Sequence, residues 1–261
     1  SDKTILRAAY TNTLARPNYF DLVPYREIED GEELSIGNPT LEPTTSNNVD
    51  LMFEHYFPSI GIVSGGLFYK NIKDFIVTQR FEDYDFEGTV WADFAQPING
   101  GNASLYGVEV AFQRQLDFLP GFLKNLGIYT NYTYTKSEVT DFNFEGREDE
   151  TLPLPGSPQH TLNASLAYDA EKFSARLSYN FASDFIDEVG DSAFGDRYYD
   201  LVNYLDFNMN ININKSLRVY VNANNLLNQP LRYFQGVSDR TAQMEYYNAR
   251  FDLGLKFDLN P

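Results

Sequence analysis

The chain has 261 residues, with 37 acidic against 20 basic side chains, a formal net charge of -17, no cysteine, and 21 Phe and 19 Tyr beside a single Trp. That charge excludes a nucleic-acid-binding face, which needs basic side chains to neutralise phosphate, and the absence of cysteine excludes a disulfide scaffold or a thiolate metal site. No apolar run reaches the roughly 18 residues of a membrane-spanning helix, whereas a mean hydropathy of -0.41 leaves a spanning barrel open, because barrel strands show lipid only every second residue.

The opening Ser1-Asp2-Lys3 leads at once into a strand pattern, without an initiator Met or an export signal, so the chain is expected to be part of a longer one. Period-two alternation then predicts strands over 3–13, 48–57, 61–74, 103–116, 124–137 and 159–168. In the next strand Phe173, Ala175, Leu177, Tyr179 and Phe181 alternate with Ser174, Arg176, Ser178 and Asn180. The clearest case sets Leu205, Phe207, Met209, Ile211 and Ile213 against Asp206, Asn208, Asn210, Asn212 and Asn214. A strand over 216–225 follows, and the last runs from Tyr247 to Leu259 with Phe251, Leu253, Leu255 and Phe257 on one face. These ten strands approach ten residues each, the length that crosses a bilayer at a tilt and longer than the five or six usual in soluble sheets.

The connections alternate as well. Pro58-Ser59-Ile60, Asp117 to Phe122, Asp169 to Lys172 and Lys215-Ser216 are short or medium, while Leu14 to Asn47, Phe75 to Asn102, Glu138 to Pro158, Ser183 to Asp200 and Leu226 to Gln243 are long. Long loops on one side and tight turns on the other are expected of an outer-membrane barrel. Acidic residues gather in the long loops, at Glu27-Asp30-Glu32-Glu33, Glu82-Asp83-Asp85-Glu87, Glu145-Glu148-Asp149-Glu150 and Asp184-Asp187-Glu188-Asp191. Ten strands are too few for a barrel that encloses a plug, which needs about 22. The fold predicted is therefore all-β: a transmembrane antiparallel up-and-down β-barrel, represented by a fragment of about ten strands.

Several stretches carry a family resemblance. Arg16-Pro17 to Pro24, then Gly37-Asn38-Pro39-Thr40-Leu41-Glu42-Pro43 and Ser46 to Leu51, resemble a signature of TonB-dependent receptors. Gly66 to Ile76, Tyr106-Gly107-Val108-Glu109, Asn131-Tyr132-Thr133-Tyr134 and Asn224-Asn225-Leu226-Leu227-Asn228 match in the same order, with a look nearest the branch common in Bacteroidetes and in Xanthomonas and Caulobacter. The end at Asp258-Leu259-Asn260-Pro261, instead of at an aromatic residue, departs from the pattern. The resemblance implies that residues 1–261 are the C-terminal portion of the barrel, with the plug, the TonB box and the N-terminal strands outside this chain. It implies a place in the bacterial outer membrane, among lipid and lipopolysaccharide, and uptake of a siderophore or an oligosaccharide energised by the TonB complex. The competing readings are a non-importing outer-membrane receptor or assembly component with the same barrel, and a soluble carbohydrate-binding β-sandwich.

No catalytic set is recognisable, and neither a cofactor nor a metal site is expected. His55 and His160 lie far apart and outside any zinc-ligand spacing, so structural roles are expected for both. Asp184, Asp187, Glu188 and Asp191 carry enough oxygens for calcium but lack the ordered loop pattern and its closing glutamate. Cargo contacts are expected from ring-bearing loops: Phe81, Tyr84, Phe86, Trp91 and Phe94, then Tyr198-Tyr199 and Tyr233-Phe234. Self-packing of the loops is the alternative for these rings. Arg147, Arg197, Arg232 and Arg240 suit an anionic ligand, or else pair with nearby carboxylates. The prolines at 17, 24, 39 and 43 and the Gly37-Asn38 pair shape the first long loop. Gly107 and Gly254 face the lumen by alternation and leave room for a close neighbour such as a plug, or mark a local bend.

Overall fold

The computed structural model describes residues 3–142, 144 and 146–258. The opening Ser1-Asp2, Glu145 of the third acidic cluster, and the terminal Leu259-Asn260-Pro261 lie outside the described residues.

The chain climbs β1 (Thr4–Ala15) into a first loop holding a one-turn helix (Tyr19–Leu22), β2 (Arg26–Glu29) and β3 (Glu33–Ile36). It descends β4 (Thr44–Tyr56) and ascends β5 (Gly61–Lys73) into a second loop built as a hairpin of β6 (Ile76–Phe86) and β7 (Thr89–Asn99). Next come β8 (Asn102–Gln115), β9 (Leu126–Thr140), a third loop, β10 (His160–Asp169) and β11 (Phe173–Ala182). A fourth loop contains β12 (Phe185–Glu188) and β13 (Arg197–Tyr199), and β14 (Val202–Asn212) and β15 (Leu217–Asn224) follow. A fifth loop contains β16 (Leu231–Gln235) and β17 (Thr241–Glu245), before β18 (Arg250–Phe257).

Ten of these strands form one antiparallel wall in the order β1-β4-β5-β8-β9-β10-β11-β14-β15-β18, each beside its predecessor in the up-and-down path. They are the ten strands the alternation predicts. Neighbours pair residue for residue, and the register aligns one apolar row after another. The row Leu6, Phe53, Gly65, Val110, Tyr132, Leu162 and Phe181 crosses seven strands on the outer face. Such residues stay uncovered, Leu6 at 78%, Leu67 at 56% and Leu253 at 77% exposure. A soluble sandwich would cover this face with a second sheet; here it is a lipid-facing surface.

The inner face is polar. Asn163 donates to Asn131 at 2.9 Å and Asn208 to Asn222 at 3.0 Å, amide to amide across adjacent strands. Arg7 and Glu54 form an ion pair on the same side of β1 and β4. Gly107 and Gly254 face inward as expected, and a ring of the adjacent strand crowds each: a Cβ at Gly107 would lie 2.5 Å from the Phe68 ring and 2.0 Å from the Tyr134 carbonyl oxygen, and one at Gly254 would lie 2.3 Å from the Tyr220 ring. Both histidines sit on the outer face, with His55 hydrogen-bonded to Thr4 at 2.9 Å and His160 to Tyr132 at 2.8 Å.

All five long connections emerge at one end of the wall and all short ones at the other. The apolar core sits among the loops, where Phe142, Phe144 and Leu152 of the third pack with Ile186 and Val189 of the fourth, above Phe75, Ala103 and Val139.

Candidate functional site

Eight loop strands that the alternation does not reveal assemble into two further sheets at the loop end. The order β2-β3-β7-β6 joins the first loop to the second through a parallel β3–β7 pairing, and the order β12-β13-β16-β17 joins the fourth to the fifth. The β6–β7 hairpin turns at Glu87-Gly88, both with positive φ, as a tight two-residue hairpin turn requires. A parallel bridge from Gln79 to Val189 ties the two sheets together.

The first loop is held tightly. The Asn38 N–H donates to the Asp21 carbonyl at 2.6 Å, and its amide donates to the Pro97 carbonyl of β7 at 3.1 Å. Gly37 is required by close approach, since a Cβ there would fall 2.1 Å from the Val23 carbonyl oxygen. The Gly37-Asn38 pair thus fastens the first loop onto the second, which is more than the turn conformation expected of it.

Beneath this loop lies a cleft of about 780 Å³ lined by Tyr19, Phe20, Tyr25, Ile36, Pro97 and neighbours, with Arg80 and Glu188 also on its wall. Tyr19, Phe20 and Tyr25 are 76%, 79% and 72% exposed, rings presented to solvent. A second chamber of about 370 Å³ between the two loop sheets shares Arg80 and Glu188 and adds Asp93, Asp191 and Arg197. Arg80 bridges Glu188 at 2.7 Å and Asp93 at 3.0 Å. Burial alone would lower its pKa, but the two carboxylates more than offset this and hold the guanidinium charged.

The nine side chains expected to touch cargo fall into separate groups. Tyr84 stacks on Phe81 at 4.8 Å and on Phe94 at 4.6 Å, and Phe86 stacks on Phe94 at 5.1 Å. Phe94 is buried at the centre of this set, and Trp91 lies opposite Tyr84 across the hairpin. In the other loop sheet Tyr198 lies parallel to a buried Phe234 at 4.9 Å, and Tyr199 meets Tyr233 edge-on at 5.1 Å. Burial pushes the Tyr198, Tyr199 and Tyr233 hydroxyls above the usual phenol range, so they remain neutral donors.

The loop arginines divide sharply. Arg197 is engaged by Asp187 and Glu188 at 2.6 and 2.7 Å, and Arg232 by Asp200 at 2.7 Å. Arg147 is 2% exposed and grips Asp196 with both terminal nitrogens, at 2.5 and 3.0 Å, and Glu150 at 2.7 Å. Arg240 makes no ion pair among the described residues; its guanidinium lies 4.5 Å over the Phe194 ring and donates to the Phe194 carbonyl at 3.3 Å. Asp187 and Glu188, named above for calcium, are therefore occupied by arginines.

Sequence reasoning does not single out Tyr19, Phe20, Tyr25 or Arg80 as site residues, and it names Glu188 only within the acidic run weighed for calcium. The first two stand within the Arg16–Pro24 stretch, and Glu87-Gly88 between two apolar-rich runs was a legible hairpin signal.

A family model described as "TonB dependent receptor-like, beta-barrel" matches residues 1–226. The iron-regulated outer membrane virulence protein of Vibrio cholerae is 25% identical over 201 residues, covering 76% of this chain and 29% of that protein. Hemoglobin-binding protein A of Haemophilus influenzae is 26% identical over 151 residues, covering 55% of this chain and 14% of that protein. The crystal structure of the siderophore receptor PirA from Acinetobacter baumannii superposes with a TM-score of 0.65 at 17% identity, over 98% of this chain and 39% of that one. The chain thus spans well under half the length of these proteins.

Proposed function

The chain belongs to the TonB-dependent receptor β-barrel family, and from that premise we propose that it forms the C-terminal part of an outer-membrane transporter that takes up a ferric siderophore. Residues 1–261 supply ten strands of a larger barrel, of about 22 strands in plugged transporters. The plug, the TonB box and the remaining strands lie outside this chain. The family is one of receptors and transporters rather than of enzymes.

The observation that carries the reading is the one-sided gathering of all five long loops, four of them paired into two sheets, around an aromatic cleft at the end of a wall that is apolar outside and polar inside. That arrangement captures a small molecule on one side of a membrane and leaves a polar lumen for its passage. Within it, Phe94 and Phe234 hold the loop sheets in shape, while Tyr84, Phe86, Trp91, Tyr198, Tyr199, Tyr233 and Arg240 are the candidates for cargo contact. The names of the relatives, an iron-regulated protein and a siderophore receptor, support iron-bearing cargo over an oligosaccharide.

The test is binding and uptake by the whole receptor. In detergent, saturable binding of a ferric siderophore, weakened about tenfold by Trp91→Ala, is expected, a loss of ~1.4 kcal/mol. In cells, uptake should stop when the inner-membrane proton gradient is collapsed. Binding without energised uptake would leave a non-importing receptor, and preferential binding of an oligosaccharide would replace the cargo.

A further inference from the structure

We propose that the cleft beneath the first loop admits an uncharged ferric chelate of the tris-hydroxamate type and disfavours a trianionic tris-catecholate chelate; this rests on the uptake reading above. Three hydroxamates bring three negative charges to Fe³⁺ and leave a neutral complex, whereas three catecholates bring six and leave a net charge of minus three. The two share size and a rounded shape, so the charge of the cleft discriminates between them.

That charge is negative throughout. The large cleft has Asp21, Glu27 and Glu188 against Arg80 alone. The adjoining chamber adds four further carboxylates and a single further cation, Arg197. Neither guanidinium is spare, since Arg80 is held by Asp93 and Glu188, and Arg197 by Asp187 and Glu188. A trianion would meet uncompensated carboxylates within about one screening length, ~8 Å at physiological salt.

The remaining wall suits an uncharged ligand with apolar surface. Tyr19, Phe20 and Tyr25 present their rings on a loop already fixed by Asn38, so little conformational freedom is lost on contact. At about 780 Å³, the cleft lies within the ~300–1,000 Å³ typical of small-molecule sites. An oligosaccharide fits less well, because many of its hydroxyls would be desolvated against a wall made largely of rings and aliphatic groups.

The experiment titrates the whole receptor in detergent with a ferric tris-hydroxamate, a ferric tris-catecholate and a neutral oligosaccharide, at low and high salt. The tris-hydroxamate is expected to bind at least about tenfold more tightly than the tris-catecholate at low salt. The gap should narrow as salt rises, because only the trianion's repulsion is screened. It should also narrow in the Asp21→Asn, Glu27→Gln double variant, which removes two carboxylates from the cleft wall. Equal or tighter binding of the tris-catecholate at low salt, or a gap indifferent to both salt and the double variant, overturns the charge inference and leaves iron uptake standing. Binding of the oligosaccharide alone overturns both.

Discussion

Arg147 and Asp196 come from different loops, 49 residues apart, and meet where both side chains are only 1% exposed. Burial by itself would lower the arginine pKa, yet hydrogen bonds to Asp196 and Glu150 raise it above its ordinary value, so the charge is held. The guanidinium also donates to the Gly190 carbonyl at 2.9 Å, closing the fourth loop around the third. Removing one partner of such a pair strands a buried charge, which costs about 3–5 kcal/mol, whereas replacing both with apolar groups of similar volume is far milder. Arg147→Ala should therefore speed amide hydrogen exchange across residues 146–156 and 185–196 and leave the wall strands protected. Arg147→Met combined with Asp196→Leu should restore most of the loop protection. Equal exchange in the single and double variants would show that the pair contributes no more than its packing.

At the scale of the strand, the two inward glycines differ in what surrounds them. The atoms nearest a Cβ at Gly254 belong to the Tyr220 ring, which can rotate away, whereas the nearest to one at Gly107 is the Tyr134 backbone carbonyl oxygen at 2.0 Å, with the Phe68 ring next. Overpacking costs ~1–3 kcal/mol where neighbours yield and more where they do not. Gly107→Ala should lower the thermal midpoint of the receptor in detergent clearly more than Gly254→Ala does, and equal losses would count against the backbone contact. The same contrast explains what was legible in the sequence. All ten wall strands announce themselves because each has one face in lipid and one toward a polar interior, so alternation is enforced residue by residue, as in Leu205 to Asn212 of β14. The loop strands have no such enforcement. Phe94 and Leu34 are buried against their own sheet, while Arg80 and Glu82 flank Phe81 on β6, and the partner that stabilises β3 is β7, over fifty residues downstream. Pairing between loops leaves no local pattern. The ring-bearing loops could be named, and pairing of loop arginines with nearby carboxylates was one of the two expectations for them, met by Arg147, Arg197 and Arg232; neither the cleft around Tyr19, Phe20 and Tyr25 nor the particular partner of each arginine followed from composition.

Across the whole molecule, charge and apolar surface are sorted along one axis. The five long connections, residues 16–43, 74–101, 141–159, 183–201 and 225–249, hold 26 of the 37 acidic side chains but only seven of the 20 basic ones, so the net charge of the chain belongs to its loop end. The apolar surface belongs to the wall, and the wall is open: β1 and β18 are its two edges, and each pairs on one side only. In a hydrocarbon layer an unpaired backbone group costs several kcal/mol, so an open edge of about eight to twelve residues cannot persist in lipid. The 261-residue polypeptide refolded alone in detergent should therefore associate edge to edge, giving multimers by light scattering instead of a single monomeric species. The ten strands should still form, because their register is set pairwise along the wall. A monodisperse monomer with β1 hydrogen-bonded to β18 would mean that ten strands suffice to close a narrow barrel. The polar inner face would then line a lumen too small for a plug, and the proposal that this chain is one part of a larger barrel would fall.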